Sequence, residues 1–447
     1  MSCVIVPYLW PKLQNNKRMY LENTLDFAKS MDETDSLSRF RSEFIIPQFG
    51  KTHPVYFTGN SLGLQPKKTK QYVLEELEDW ANLGVEGHFE GRRPWFSYHE
   101  QLTEKTARLV GAKPIEVCTS HSLTTNLHLL MASFYRPEGK RTKILCEAKA
   151  FPSDQYALES QLKWHGFGLE HLVYVSPRAG KFLIEEEDIY AQIDALGEEL
   201  ALIMWGGVNY YTGQYFDLKT IVEKGHAVGA RVGFDLAHAA GNVNLDLHAW
   251  GPDFAAWCGY KYLNSSPGGV SGYFVHERHA LNRELPRLAG WWGHNKETRF
   301  NMEPGFDPLP GAEGWQLSNA PILGMAAHLA ALELFDAAGM EELGKKRDKL
   351  TSFLEFVIDE VVRQNNKKEI IEIITPRNPS QRGSQLSLLV KENGKKTFDL
   401  LTDYGVMADW REPNVIRMAP VPLYNSFEDV YWFGQHLNSS LEALAKL

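Results

Sequence analysis

The sequence predicts an α/β protein: a large domain on a mostly parallel sheet covered by helices on both faces, followed by a smaller C-terminal α+β domain. Three observations carry this. Apolar runs of strand length recur at 143–145, 172–175, 200–205, 231–234, 254–257 and 272–275. Helical patterns separate most of them, and strands alternating with helices imply parallel pairing buried on both faces. A second group of strand-like runs, 369–374, 384–390, 405–410 and 415–418, follows a strongly helical stretch at 322–338, with helices near 397–404 and 426–444. At 447 residues the chain is too long for one small core and suits one large domain plus a smaller one.

Taken in order, residues 1–20 show no periodicity. Helical spacing begins near Leu21, with Leu25, Phe27, Ala28 and Met31, then Leu37, Phe40 and Phe44. Residues 1–54 read as an N-terminal arm joining the small domain, closed by a turn-rich link at 47–54. The large domain spans 55–320. It opens on extended Val55-Tyr56-Phe57 and the loop Gly59-Asn60-Ser61-Leu62-Gly63. Residues 69–83 form an amphipathic helix with Val73, Leu74, Leu77 and Trp80 on one face, and 102–110 form another. The linking helix and small domain take 321–447. The sequence shows neither repeats nor long low-complexity stretches.

Composition excludes several classes. Hydrophobic residues at 43% and charged residues at 23% are those of an ordinary globular protein. A net charge of −9 lacks the basic footprint of nucleic-acid binding. No window approaches the roughly 20 apolar residues of a membrane helix. Cys3, Cys118, Cys146 and Cys258 have no CxxC spacing, which disfavours a zinc site or a disulfide framework and fits a reducing compartment. The first ten residues contain Pro7 and lack a basic start or a small-residue cleavage site, so they are not read as a signal peptide. The simplest location is cytoplasmic.

The chemistry concentrates at two strand ends. Val232-Gly233-Phe234-Asp235 is an apolar strand ending at an acid, with His238 three residues on. Phe254-Ala255-Ala256-Trp257-Cys258-Gly259-Tyr260-Lys261 is a second apolar run ending at a lysine between tyrosines, ahead of the turn Pro267-Gly268-Gly269. A strand-end Asp with a nearby His and a later strand-end Lys is the pattern expected for pyridoxal phosphate. The lysine holds the aldehyde as a Schiff base, and the aspartate keeps the pyridine nitrogen protonated, because an adjacent anion favours the cationic form. A lysine used this way must shed its proton, which a desolvated, cation-flanked site favours. Ligands in such sheets bind at strand carboxyl ends, where Asp235 falls.

Other segments admit two readings. Ser122-Leu123-Thr124-Thr125-Asn126 opens an apolar helix. Its hydroxyls suit plain N-caps, or the helix end seats a phosphate. Tyr260 offers a further phenol donor. Phe151, in Ala148-Lys149-Ala150-Phe151-Pro152-Ser153-Asp154, either stacks on a ring or fills the core. Arg417, among apolar residues in Val415-Ile416-Arg417-Met418, suits a substrate carboxylate or a structural ion pair. Gly166-Phe167-Gly168 lacks the third glycine of a dinucleotide fingerprint, and neither GxxxxGK[ST] nor HExxH occurs, so no metal is expected.

These segments together resemble the kynureninases, pyridoxal-phosphate hydrolases of the aminotransferase fold (fold type I). The matching stretches are 56–66, 122–131, 147–154, 211–214, 233–242, 260–264, 290–294 and 417–427. The resemblance runs from about residue 30 onward and omits roughly the first eighteen residues, so Met19 is a candidate start. It implies hydrolysis of L-kynurenine or 3-hydroxy-L-kynurenine to anthranilate or 3-hydroxyanthranilate and L-alanine, within tryptophan breakdown or NAD biosynthesis. It implies that Lys261 and Tyr260 are catalytic and that Lys261 carries the cofactor. It also implies that Asp235 meets the pyridine nitrogen, with His238 close by and Phe151 stacked on the ring. Leu123, Thr124 and Tyr260 would hold the phosphate, and Pro152, Ser153 and Asp154 would belong to the same wall. Trp291 and Asn319 would come from the neighbouring subunit of a homodimer, and Arg417 would hold the substrate carboxylate.

One residue departs from the pattern. Gly206 stands where relatives carry a hydroxyl, so a cofactor contact there is absent or water-borne. His88 and Asn319 match relatives that prefer the 3-hydroxylated substrate, since a ring hydroxyl needs a hydrogen-bond partner. A cysteine desulfurase is the nearest rival, but no cysteine follows Cys258 to act on a mobile loop. A cofactor-binding regulator or silent scaffold is a rival of another class. It would not need Arg417, Trp291 and Asn319.

Overall fold

The computed structural model describes residues 21–48 and 53–446; the expectations for the first twenty residues, Met19 among them, and for 49–52 of the link lie outside the described residues. The chain divides into two compact units. The larger comprises Pro66–Tyr210 and Tyr215–Ala337. The smaller comprises Tyr211–Gln214, Ala338–Leu447 and the preceding Met1–Gln65, each as far as described.

The larger unit is built on seven strands: β1 (Val117–Thr119), β2 (Lys143–Glu147), β3 (Leu172–Val175), β4 (Leu200–Gly206), β5 (Arg231–Asp235), β6 (Phe254–Trp257) and β7 (Gly272–Val275). Their order is β1-β7-β6-β5-β4-β2-β3. Every pairing is parallel except those of β7, which runs antiparallel to β1 and β6. The reversal follows from the β6–β7 connection. A parallel return needs a long crossover, usually a helix, and residues 258–271 instead form turns around Lys261. The helices Leu123–Phe134, Pro152–Trp164, Glu186–Leu196 and Leu218–Ala227 connect the strands from β1 to β5.

The strands are apolar on both faces because helices cover both. β6 is buried at every residue, and Phe134 stacks on Phe254 at 5.2 Å between ring centres. Leu127, Leu130, Leu158, Leu162, Leu202 and Phe254 belong to one buried cluster. Register brings the carboxyl ends together: Gly206 pairs with Asp235, and Asp235 with Ala256.

The smaller unit holds a four-stranded antiparallel sheet of β8 (Ile371–Ile373), β9 (Leu386–Val390), β10 (Asp409–Arg411) and β11 (Val415–Met418), in the order β8-β9-β11-β10. Helices Met340–Gln364 and Phe427–Leu444 share its core through Leu350, Leu354, Val357, Phe427, Val430 and Phe433. The early helix Leu25–Glu33 joins them through Ala28 and Met31. In its last turn, Asp32 accepts from the backbone N–H of Phe427 at 2.8 Å and of Glu428 at 2.9 Å, completing the N-terminus of the last helix.

Three elements differ from expectation. The run 405–410 forms two strands, because Val406–Met407 pairs in parallel with Val55–Tyr56 while Asp409–Arg411 joins β11. β1 was not expected; three residues are too few to show a period. The helix Met340–Gln364 was also not expected. Its buried face, Leu343, Leu350, Leu354, Val357 and Val361, is diluted by a charged opposite face, and Gly339 at φ 76° separates it from Ile322–Ala338.

Candidate active site

The carboxyl ends of β2, β4 and β5 open into a cleft lined by Ser122, Leu123, Thr124, Glu147, Phe151, Ser153, Asp154, Gly206, Asp235, His238, Tyr260 and Lys261, with Val208, Tyr210 and Ala237. Lys261 is buried, and its Nζ lies 3.1 Å from Nε2 of His238. The same nitrogen stands 5.6 Å from the Phe151 ring centre and 5.9 Å from that of Tyr260. Asp235 is buried at the end of β5, with Oδ1 accepting from Ala237 N–H at 2.7 Å.

The charges facing Lys261 are anions, which corrects the expectation of flanking cations: Asp154 and Asp235 both act on it. These two carboxyls share a hydrogen bond. Burial pushes both above the usual carboxylate range. Asp154 rises further because the Asp235 charge adds to its burial. Two buried acids this close do not readily ionise together, so the pair holds a proton more tightly than separate carboxylates would. Glu147 is a third buried acid, pushed up to about 7 by burial and, more weakly, by Asp235. Burial likewise raises the Tyr260 phenol, helped by Cys258.

The opposite wall offers donors. Ser122 precedes the helix Leu123–Phe134, but its hydroxyl makes no cap hydrogen bond and instead meets Thr125 Oγ1 at 2.9 Å. That weakens the plain-cap reading and leaves the helix end available to an anion. Phe151 is 40% exposed and meets Tyr210 edge-on at 5.3 Å, so it does not fill the core. It precedes the helix that starts at Pro152, with Ser153 and Asp154 in the first turn. Three non-glycine residues adopt left-handed backbone beside these segments: His121 (φ 54°), Lys149 (φ 57°) and Asn264 (φ 55°). Such conformations are uncommon and gather where surrounding structure enforces them.

The remaining candidates lie elsewhere among the described residues. Trp291 is 43% exposed and meets Phe300 at 5.5 Å. Asn319 lines a different cavity with His121, Gly268 and Gly269. His88 sits on Trp95 at 5.4 Å, with Nδ1 3.0 Å from the Val85 carbonyl. Within one chain none of the three lines the Lys261 cleft. Arg417 belongs to the smaller unit, where it is buried in β11 and ion-paired with Asp409. Glu147, Asn209 and Tyr210 were not singled out from sequence. Glu147 carried a usable signal, since it ends an apolar strand as Asp235 does.

The architecture is that of the fold type I pyridoxal-phosphate enzymes. A cystine C-S lyase, C-DES, solved as a mutant with glycine covalently linked to the PLP cofactor, superposes with a TM-score of 0.72 at 17% identity, covering 86% of this chain and 97% of that one. The cysteine desulfurase CsdA of Escherichia coli gives 0.70 at 17% identity, covering 91% and 99%. At the sequence level, the kynureninase of Flavobacterium psychrophilum is 55% identical over 424 residues, 95% of this chain and 99% of its own. That of Myxococcus xanthus is 54% identical over 414 residues, 92% and 96%. The kynureninase C-terminal domain model matches residues 343–437. The chain belongs to the kynureninase family.

Proposed function

We propose that this protein hydrolyses the Cβ–Cγ bond of L-kynurenine or 3-hydroxy-L-kynurenine, giving anthranilate or 3-hydroxyanthranilate and L-alanine, with pyridoxal 5'-phosphate at Lys261. The observation that carries the reading is the cleft itself. One wall gathers Asp235, Asp154 and Glu147 with too little positive charge, and another is an uncapped helix start at Ser122. That donor set fits a molecule cationic at one end and anionic at the other. Asp235 would hold the protonated ring nitrogen, with His238 nearby, Phe151 across the ring face, and Leu123, Thr124 and Tyr260 toward the phosphate. Pro152, Ser153 and Gly206 would complete the wall.

When bound, the cofactor supplies an electron sink for the carbon next to the substrate nitrogen. The chain supplies the rest. Lys261 Nζ takes and returns the proton at the substrate Cα, with His238 Nε2 at 3.1 Å beside it. The Tyr260 hydroxyl, kept protonated by burial, is a proton donor toward the substrate γ-ketone, where charge develops as water adds. Arg417 holds the substrate carboxylate, exchanging some of its attraction to Asp409.

We propose a homodimer in which Trp291 and Asn319 reach the neighbouring active site. An exposed aromatic patch supports it: Trp291, Phe300 and Phe89 are each at least 43% exposed and are linked by ring contacts through Phe96. We further propose cytoplasmic residence, supported by the three cysteines among the described residues, all free and buried. No single described helix is long and apolar enough to cross a membrane. His88 and Asn319 favour the 3-hydroxylated substrate.

Three experiments test the reading. Borohydride reduction with pyridoxal phosphate is expected to label Lys261, and aryl-acid fluorescence is expected to report cleavage; labelling elsewhere or no cleavage overturns it. Mixing inactive Lys261→Ala and Asn319→Ala proteins is expected to restore turnover through hybrid dimers, and no recovery rules out the shared site. Desulfurase activity has the fold neighbours in its favour, yet no cysteine follows Cys258.

A further inference from the structure

Glu147 is buried in the cleft wall and has no part in the reaction outlined above. It ends β2, which pairs in parallel with β4, the strand that ends at Gly206. A Cβ on residue 206 would stand 2.6 Å from Glu147 Oε1, closer than real Cβ contacts. Gly206 is not among the positive-φ residues, so its backbone would accept any side chain. Any side chain there would have to displace the Glu147 carboxyl, which occupies the space. The other carboxyl oxygen, Oε2, accepts from Asn209 Nδ2 at 2.8 Å, and this bond keeps Oε1 turned toward position 206. Residues 147, 206 and 209 thus form one unit at the mouth of two strands, beside Asp235.

We propose that Glu147 is a positioning residue for the pyridine-aldehyde cofactor: its carboxyl, set by Asn209 and admitted by Gly206, replaces a side chain at position 206 as the polar edge of the binding wall. The proposal rests on the pyridoxal-phosphate reading and deepens it. The groups facing Glu147 are Asp235 from β5 and Asp154 from the helix Pro152–Trp164, with Cys146 adjacent on its own strand. His238 and Lys261 share the cleft. Among so many acids a third anion is unfavourable, and burial holds the Glu147 proton up to about 7. Near neutral pH the carboxyl therefore donates as well as accepts, and above that range it becomes a third negative charge beside the ring.

The test is a double-mutant cycle read by absorbance titration of the full-length protein with pyridoxal phosphate. Gly206→Ala is expected to weaken binding about tenfold by displacing the carboxyl. In a Glu147→Ala background, which opens the space, the same methyl is expected to cost less than about twofold. Glu147→Gln mimics the protonated acid. It is expected to keep wild-type affinity near neutral pH and below, and to diverge from wild type in alkaline buffer, where the wild-type carboxyl is ionised. Additive single effects, or an unchanged pH profile in Glu147→Gln, overturn the proposal. Kynurenine cleavage is followed in the same samples. Additivity with normal turnover sinks this proposal and leaves the function standing. Coupling without turnover sinks the function and supports the positioning role.

Discussion

Asp235 and Asp253 are the same residue type, both buried, at neighbouring strands of one sheet. Their surroundings are opposite. Asp253 precedes β6 and is met by His226 at 3.0 Å, His279 at 2.9 Å, Arg231 at 3.0 Å and Arg278 at 3.2 Å, with a fifth contact from Val232 N–H at 2.8 Å. Burial alone would raise its carboxyl, but the histidine hydrogen bonds and the Arg278 charge hold it well below the usual range. Asp235 ends β5 among Asp154, Glu147 and one lysine, and burial leaves it raised. A saturated acid is structural. An acid denied its cations by the fold is ready for a cationic ligand, and perturbed groups in a cleft mark such sites.

The two acids are therefore expected to fail differently. The largest effect is on chemistry: Lys261→Ala and Asp235→Asn should each lower kcat by on the order of 10³-fold while the fold survives, as measured by turnover and circular dichroism. Comparable activity in Asp235→Asn would erase the distinction. Asp253→Asn should instead cost about 3–5 kcal/mol in urea unfolding, because its cationic partners lose their anion, with activity per folded molecule retained.

Titration sharpens the contrast. Asp253 is depressed, so its contribution is present above the unfolded value and is lost only as pH falls through the folded one. Glu147 is raised from 4.5 to about 7, so the sign reverses. Its contribution is full below about pH 4.5 and is lost as pH rises through 7. Cofactor-free Glu147→Gln should thus gain up to about 3 kcal/mol over wild type at about pH 8 and little at about pH 5. Equal gains at both pH values would contradict the assignment.

Smaller effects follow from groups farther from the charge contrast. Tyr260→Phe should lower kcat about 10- to 100-fold while the cofactor absorbance band persists; unchanged turnover would remove the phenol from the mechanism. His88→Ala should reduce the kcat/KM preference for 3-hydroxykynurenine over kynurenine by about tenfold at most. A wild type that favours plain kynurenine would reverse that assignment.

Much of the site was legible in the sequence because strand-end residues keep their local signature. Lys261 follows the buried apolar run of β6, and Asp235 ends the buried run of β5. Ser122 opens an apolar helix, and its missing cap bond weakens one of the two readings that sequence left open. Phe151 was equally ambiguous, and its exposure argues against the core reading alone. The helix Met340–Gln364 was hidden by its charged face, and Glu147 by ending the strand reading at Leu145, two residues short. The expected cations around Lys261 were wrong for a physical reason: charges that meet in the cleft come from β2, β5 and the helix at Pro152, far apart along the chain.

By itself the sequence determined the α/β alternation, the family and the identity of the lysine and aspartate at the strand ends, because periodicity and motif spacing are properties of neighbouring residues. Only the tertiary structure decided which buried aspartate is neutralised and which is left open to a ligand's charge. It alone also placed the Glu147 carboxyl where a side chain on Gly206 would stand. Electrostatic environment and excluded volume depend on distance through space, and strand register brings together residues that the linear order keeps apart.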